Sequence, residues 1–181
     1  MPEATEDAVF LIATSYQALG RANTGEDQTI TCNSTVVLIF AAFFIEANLT
    51  HILEVMGELD RMRRDVGRKK PGLYPKLAWF YDKLVRHSED TKRDQLFEAS
   101  FKDAVYSQFP GLEELVDFRN GVAHGKIDRS RANPADASRL RQHAKDIVTQ
   151  LFAIAATAGH EIPRSITYAM AISSNPEEEA A

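Results

Sequence analysis

The sequence predicts an all-α helical bundle of about five or six helices, and three observations carry that expectation. Apolar residues recur at i, i+3, i+4 and i+7 through most of the chain, which is the period of a helix face and not of a strand. Turn punctuation such as Pro71-Gly72 and Pro110-Gly111 falls between these stripes, not within them. The only strand candidate, 162–172, is broken by Pro163 and lacks clean alternation. With 181 residues, 44% hydrophobic and 26% charged, the chain has the size and composition of one folded domain.

The elements follow in order. Val9, Ile12, Tyr16 and Leu19 form one stripe, giving a first helix over about 5–22. Residues 22–31 are polar, contain Asn-Thr-Gly-Glu-Asp and read as a loop. A second helix is expected to start near the cap candidates Asn33 and Ser34 and to run to about Leu59. Its first half is apolar on every side, which marks it as the central, most buried helix. The basic segment 61–71 then ends that element. Leu73, Leu77, Phe80 and Leu84 predict a third helix, and Phe97, Phe101 and Val105 a fourth. Leu112, Leu115, Val116, Val122 and Ala123 predict a short fifth. For the last helix Asn133 is a natural N-cap, Pro134 suits the first helical position and Gly159 suits the position after the end. The helical domain is therefore placed at 1–160, with a C-terminal extension at 161–181 that is partly frayed.

Composition excludes several classes. A single cysteine, Cys32, leaves no disulfide framework and no Cys-rich zinc site. The five histidines form no HExxH or His-x3-5-His pair, so neither a metal nor a cofactor is expected. No glycine-rich phosphate loop is present. The opening residues lack the basic and small-residue pattern of a signal peptide, and the longest apolar run, 36–45, is about half of a membrane span. A cytoplasmic protein without a membrane partner is the expectation. Net charge is −5, of which the glutamates at 177–179 supply three, leaving −2 over residues 1–174. Bulk charge thus neither demands nor excludes a nucleic-acid partner, and local patches must decide.

One segment stands apart: Phe118-Arg119-Asn120-Gly121-Val122-Ala123-His124-Gly125. Arg119 falls on the apolar stripe of the fifth helix, where a guanidinium needs an anion, either a carboxylate or a ligand phosphate. Asn120 and His124, four apart, share a helix face. Gly121 and Gly125 weaken the helix and point to close backbone approach or an irregular end. Arginine, amide and imidazole together suit phosphodiester chemistry: bidentate phosphate binding, orientation, and proton transfer near neutral pH.

Arg119 to His124 resembles the R-x4-6-H motif of HEPN domains, in the form with a polar residue directly after the arginine. The apolar second helix with Phe44-Ile45-Glu46-Ala47-Asn48-Leu49 resembles that family's Glu-bearing helix, and a long C-terminal helix follows the motif as it does there. The resemblance spans about residues 5–160, with its specificity in the motif segment. It implies a homodimer in which two motifs face one cleft, and a metal-independent endoribonuclease of a toxin–antitoxin or antiviral-defence setting. Carried over by position, Arg119 would contact the scissile phosphate, His124 would serve as acid or base, and Asn120 would orient one of them. Glu46 would brace Arg119. RNA would be the substrate and an antitoxin or inhibitor protein a further partner.

Other readings of the same residues stay open. Arg119 and Glu46 also fit a structural ion pair, His124 a helix-end histidine, and Asn120 a helix-distorting polar residue. The run Arg61, Arg63, Arg64, Arg68, Lys69, Lys70 fits either an RNA-backbone track or a solvated connection. Lys126, Arg129 and Arg131, just past the motif, are better placed to collect phosphates. Trp79, Phe80 and Tyr81 fit either base stacking or the core, with periodicity favouring the core for Phe80. At the level of the whole chain, the alternatives to a ribonuclease are a non-catalytic HEPN module binding RNA, a nucleotide or a protein, and a purely structural helical dimer.

Overall fold

A computed structural model describes residues 17–18, 21–22, 27–67, 69–125, 130 and 132–162. Those residues build six α-helices: α1 (Asp27–Val55), α2 (Leu59–Val66), α3 (Leu73–Leu84), α4 (Ala99–Gln108), α5 (Leu112–Ala123) and α6 (Pro134–Thr157). A 3-10 turn, Gln95–Phe97, precedes α4, and no strand occurs among the described residues. The all-α bundle expected from periodicity is what the chain adopts. Of the expected helix over 5–22, the four described residues are helical, with Ala18 and Ala22 buried, and the remainder lies outside the described residues. Ile162, the first residue of the strand candidate, has no regular structure, and the rest of the candidate and of the extension lies outside the described residues.

The 29-residue α1 is the axis of the bundle, packing mainly against α6 and also against α5 and α3. Val37, Leu38, Ala41, Phe44, Ile45, Leu49, Ile52 and Leu53 are fully buried along it. By length and composition alone, 29–55 would also be long and apolar enough to cross a membrane, yet 61% of its most apolar stretch is buried inside the bundle. The expectation that its first half is covered on every side fails along one stripe. Val36, Ile39 and Phe40 are half-buried, and Phe43 is 37% exposed.

Three boundaries differ from the sequence expectation, each for a local reason. First, α1 begins at Asp27, so the polar stretch read as a loop is helical from there. Asn33 does not cap; its Nδ2 donates to the Thr29 carbonyl at 2.8 Å, and Thr35 Oγ1 donates to Thr31 at 2.8 Å. These side chains bond back one turn inside the helix, an alternative open to short polar residues. Second, α1 ends at Val55, short of Leu59. Gly57, at φ +73°, takes the left-handed position, the Glu58 N–H bonds the Leu53 carbonyl at 2.9 Å, and the Gly57 N–H bonds the Glu54 carbonyl at 3.0 Å. That pair of bonds is the Schellman ending. Third, the basic segment is no simple connection: residues 59–66 form α2, stapled to the core by Leu59, Met62 and Val66. A smaller adjustment concerns Phe97, which closes the 3-10 turn instead of opening α4.

The last helix follows its signals closely. The Asn133 side chain accepts the Asp136 N–H at 2.9 Å, Pro134 starts the helix, and Gly159 follows its end at φ +84°. Gly111 opens α5 with φ +79°, and a Cβ built on it would stand 2.9 Å from a His143 ring carbon on α6. Glycine there serves both a left-handed backbone and a close helix approach. Gly111→Ala is therefore expected to cost more stability than Gly57→Ala, where φ is +73° but nothing lies within 4 Å. The backbone share should be roughly 1–2 kcal/mol in both. Urea unfolding of the two variants checks this, and equal losses would contradict it.

Candidate functional site

The centre of the site is Glu46, which projects from the middle of α1 between α3 and α5. Its side chain is only 18% exposed, so desolvation requires the carboxylate to be paired. Two cations meet it. Lys76 Nζ on α3 donates to Oε1 at 2.9 Å, and Arg119 Nη2 on α5 approaches Oε2 at 3.5 Å. The first is a well-formed charge-assisted bond; the second sits at the outer limit of hydrogen bonding and is mainly Coulombic. Thus the structure does bring Glu46 and Arg119 together, but Glu46 is held more tightly by Lys76.

Lys76 was not singled out from the sequence, although a signal was there. It lies three after Leu73 and four before Phe80, on the apolar stripe of its helix, just as Arg119 lies on the stripe of α5. Lys76 is 8% exposed, and a cation so buried on an apolar face needs an anion. Glu46, Lys76 and Arg119 together carry one surplus positive charge, and Arg119 is the more exposed cation, its side chain 29% exposed against 11% for Lys76.

Arg119 has two further neighbours. Its Nη1 donates to the Asn120 side-chain oxygen at 3.2 Å, and its guanidinium carbon lies 6.0 Å from the centre of the Phe43 ring. The amide therefore orients the arginine. The aromatic contact is at the far edge of the cation–π range and adds little. His124 occupies the C-terminal cap of α5, where its N–H bonds the Asn120 carbonyl at 3.0 Å. That bond carries the helical register as far as residue 124, and His124 is exposed there. Gly125, at φ +68° with nothing within 4 Å, makes an irregular helix end and no close approach. Lys126, Arg129 and Arg131 lie outside the described residues.

Beside Arg119 a cleft of about 340 Å³ opens between the start of α3, α4 and α5. Tyr74, Tyr106, Lys102, Asp117, Arg119 and Asn120 contribute to its walls. Tyr74 is fixed by donating its hydroxyl to the Leu96 carbonyl at 2.7 Å, and its ring lies 5.7 Å from that of Tyr106. Lys102 Nζ sits 5.8 Å from the Tyr74 ring centre. Burial, with Asp117 and Glu113 nearby, pushes the Tyr106 phenol up to about 12, so it remains a neutral O–H donor. Burial and the neighbouring Tyr106 also raise the Tyr74 phenol.

Other candidates take structural positions. Trp79 and Phe80 are fully buried, so base stacking by them is excluded, and Trp79 Nε1 donates to Glu58 at 3.0 Å. In the basic run, Arg63 pairs with Asp60 at 3.0 Å, and Arg61 lies 3.7 Å from Glu58 and 3.8 Å from Asp65. Those two arginines are matched locally by acids. His51 is buried at 4% exposure on α1.

No family model, curated protein or solved structure matches the chain. The local geometry nonetheless makes a sharp statement about energetics. In double-mutant cycles the Glu46–Lys76 coupling is expected to reach about 1–2 kcal/mol, with the Glu46–Arg119 coupling below about 1 kcal/mol. Chemical denaturation of Glu46→Ala, Lys76→Met, Arg119→Met and the two double variants measures both. A larger coupling to Arg119 would reverse the assignment of the carboxylate's main partner.

Proposed function

We propose that the chain is an endoribonuclease of HEPN type that cleaves RNA without a metal, in a toxin–antitoxin or antiviral-defence role. The observation that carries the reading is Arg119, held by half of a shared carboxylate and oriented by Asn120, with the exposed His124 one turn beyond. In this reading Arg119, whose side chain is 29% exposed, binds the scissile phosphate. The 2′-hydroxyl oxygen attacks the adjacent phosphorus as its proton passes to an imidazole, and the bond from phosphorus to O5′ breaks. A second imidazole protonates the departing O5′. The products are a 2′,3′-cyclic phosphate and a 5′-hydroxyl, so no water or cofactor is consumed.

One His124 per chain supplies half of that acid–base pair. A homodimer completes it, and the Phe43 stripe on α1, apolar, exposed and in contact with Arg119, is the face best suited to the two-fold axis. The non-catalytic alternative, a module that binds RNA, a nucleotide or a protein partner, is favoured by the cleft, which places an aromatic wall beside the same arginine.

Cleavage of RNA by the purified chain, with and without EDTA, tests the reading. Activity should survive chelation, leave cyclic phosphate ends, and fall at least ~100-fold in His124→Ala and in Arg119→Ala. Phe43→Glu should convert the dimer to a monomer in sedimentation and lose activity with it. Cleavage that chelation abolishes and a divalent ion restores, or full activity in a monomer, would contradict the proposal.

A further inference from the structure

We propose that the cleft beside Arg119 is a base-specific subsite for guanine, holding the nucleotide on the 5′ side of the scissile phosphate. The inference rests on the ribonucleolytic reading only for the direction of the RNA strand; recognition of the nucleotide itself follows from the cleft. Its volume, about 340 Å³, is at the small end of ligand pockets and matches one nucleotide, not a length of chain. Three kinds of group line it, and each constrains the ligand.

The aromatic wall comes first. Tyr74 is locked by its hydroxyl bond to Leu96 and lies among Phe97 at 5.9 Å and Tyr106 at 5.7 Å, while Tyr106 is half-buried and reachable from the cleft. A flat aromatic ring is the natural occupant, and stacking on such a wall accepts any base. The cations come second. Arg119 at one end and Lys102 on the wall call for an anion, so the ring carries a phosphate. With that phosphate on Arg119, the ribose 2′-hydroxyl of the same nucleotide lies next to the phosphorus it attacks.

Asp117 chooses among the bases. A carboxylate can only accept hydrogen bonds, and it accepts two at once from a pair of adjacent donors. Guanine alone among the four RNA bases presents such a pair on one edge, its N1–H and its 2-amino group. Adenine and cytosine set a ring-nitrogen lone pair beside their amine, which the carboxylate repels, and uracil offers a single N–H between two carbonyls. Tyr106 beside Asp117 stays neutral through burial, so the stacking face next to that carboxylate carries no charge of its own. Both residues line the same cleft as Arg119.

Calorimetric titration with guanosine 3′-monophosphate, the adenosine, cytidine and uridine equivalents, and inorganic phosphate tests the subsite. The intact chain should bind the guanosine nucleotide at least ~10-fold more tightly than the other four. Asp117→Asn should bring guanosine down to the level of the other nucleotides. Tyr106→Ala should weaken all four nucleotides by roughly 10-fold while leaving inorganic phosphate unchanged, and Tyr106→Phe should restore stacking to within about threefold. Thermal melts of each variant confirm that the fold persists. Equal affinity for the four nucleotides, binding no tighter than phosphate alone, or an unchanged preference in Asp117→Asn would overturn the subsite. Guanosine-selective binding without RNA cleavage would leave the subsite standing and sink the ribonuclease reading. Cleavage with no base preference in binding would do the reverse.

Discussion

A single carboxylate shared by two cations organises this molecule. Glu46 stands in the middle of α1, the helix on which the bundle is packed, in a position too dry for an unpaired charge. Lys76 reaches it from α3 and Arg119 from α5, so one side chain ties three helices together. Because one negative charge answers two positive ones, neutralisation is incomplete by construction. The shorter bond and the deeper burial belong to Lys76, and the unmatched charge accordingly falls to Arg119 at the surface. Core packing thereby fixes both the direction of the guanidinium and its appetite for an anion. An arginine paired one-to-one with a buried carboxylate would carry neither property.

The same packing explains what surrounds Arg119. The helix that supplies Glu46 leaves Phe43 uncovered three residues earlier, and Gly72 in the turn before α3 lines the cleft together with Arg119. Arg119 thus neighbours both an apolar residue suited to a protein surface and an aromatic, charged cleft suited to a nucleotide. An exposed apolar stripe is a liability for a lone chain and an asset for one that meets a second copy. The proposed chemistry has two needs, a partner histidine and a bound strand, and both features lie near this one side chain.

Much of the fold was legible because it rests on short-range signals. The 3.6 period placed α3, α5 and α6, and Asn133, Pro134 and Gly159 marked the ends of α6 through bonds made within a turn. The misplaced ends of α1 show where such signals compete. Asn33 is as good a back-bonder as a cap, and only the helical state of the residues before it decides between the two. Gly57 was the true stop, visible as a glycine but masked by an apolar pattern that continues through Leu59. The basic run looked like a connection because its charges outweighed Leu59, Met62 and Val66, the three residues that staple α2 to the core. At the site, Glu46 and Arg119 could be paired in advance since each was a lone charge on an apolar face. Lys76 carried the same signature and went unread. The cleft was not legible at all: Tyr74, Tyr106 and Asp117 belong to three helices, and nothing in their spacing brings them together.

Whether Arg119 faces phosphate or merely balances Glu46 is the central claim, and RNA affinity decides it most directly. The measurement is the binding of a short single-stranded RNA to the His124→Ala chain, with and without Arg119→Ala, over a series of salt concentrations. If Arg119 holds a phosphate, its removal should weaken binding by about 10-fold and lower the salt dependence by close to one counterion. An unchanged affinity and an unchanged salt slope in the folded double variant would show that the arginine serves the bundle alone.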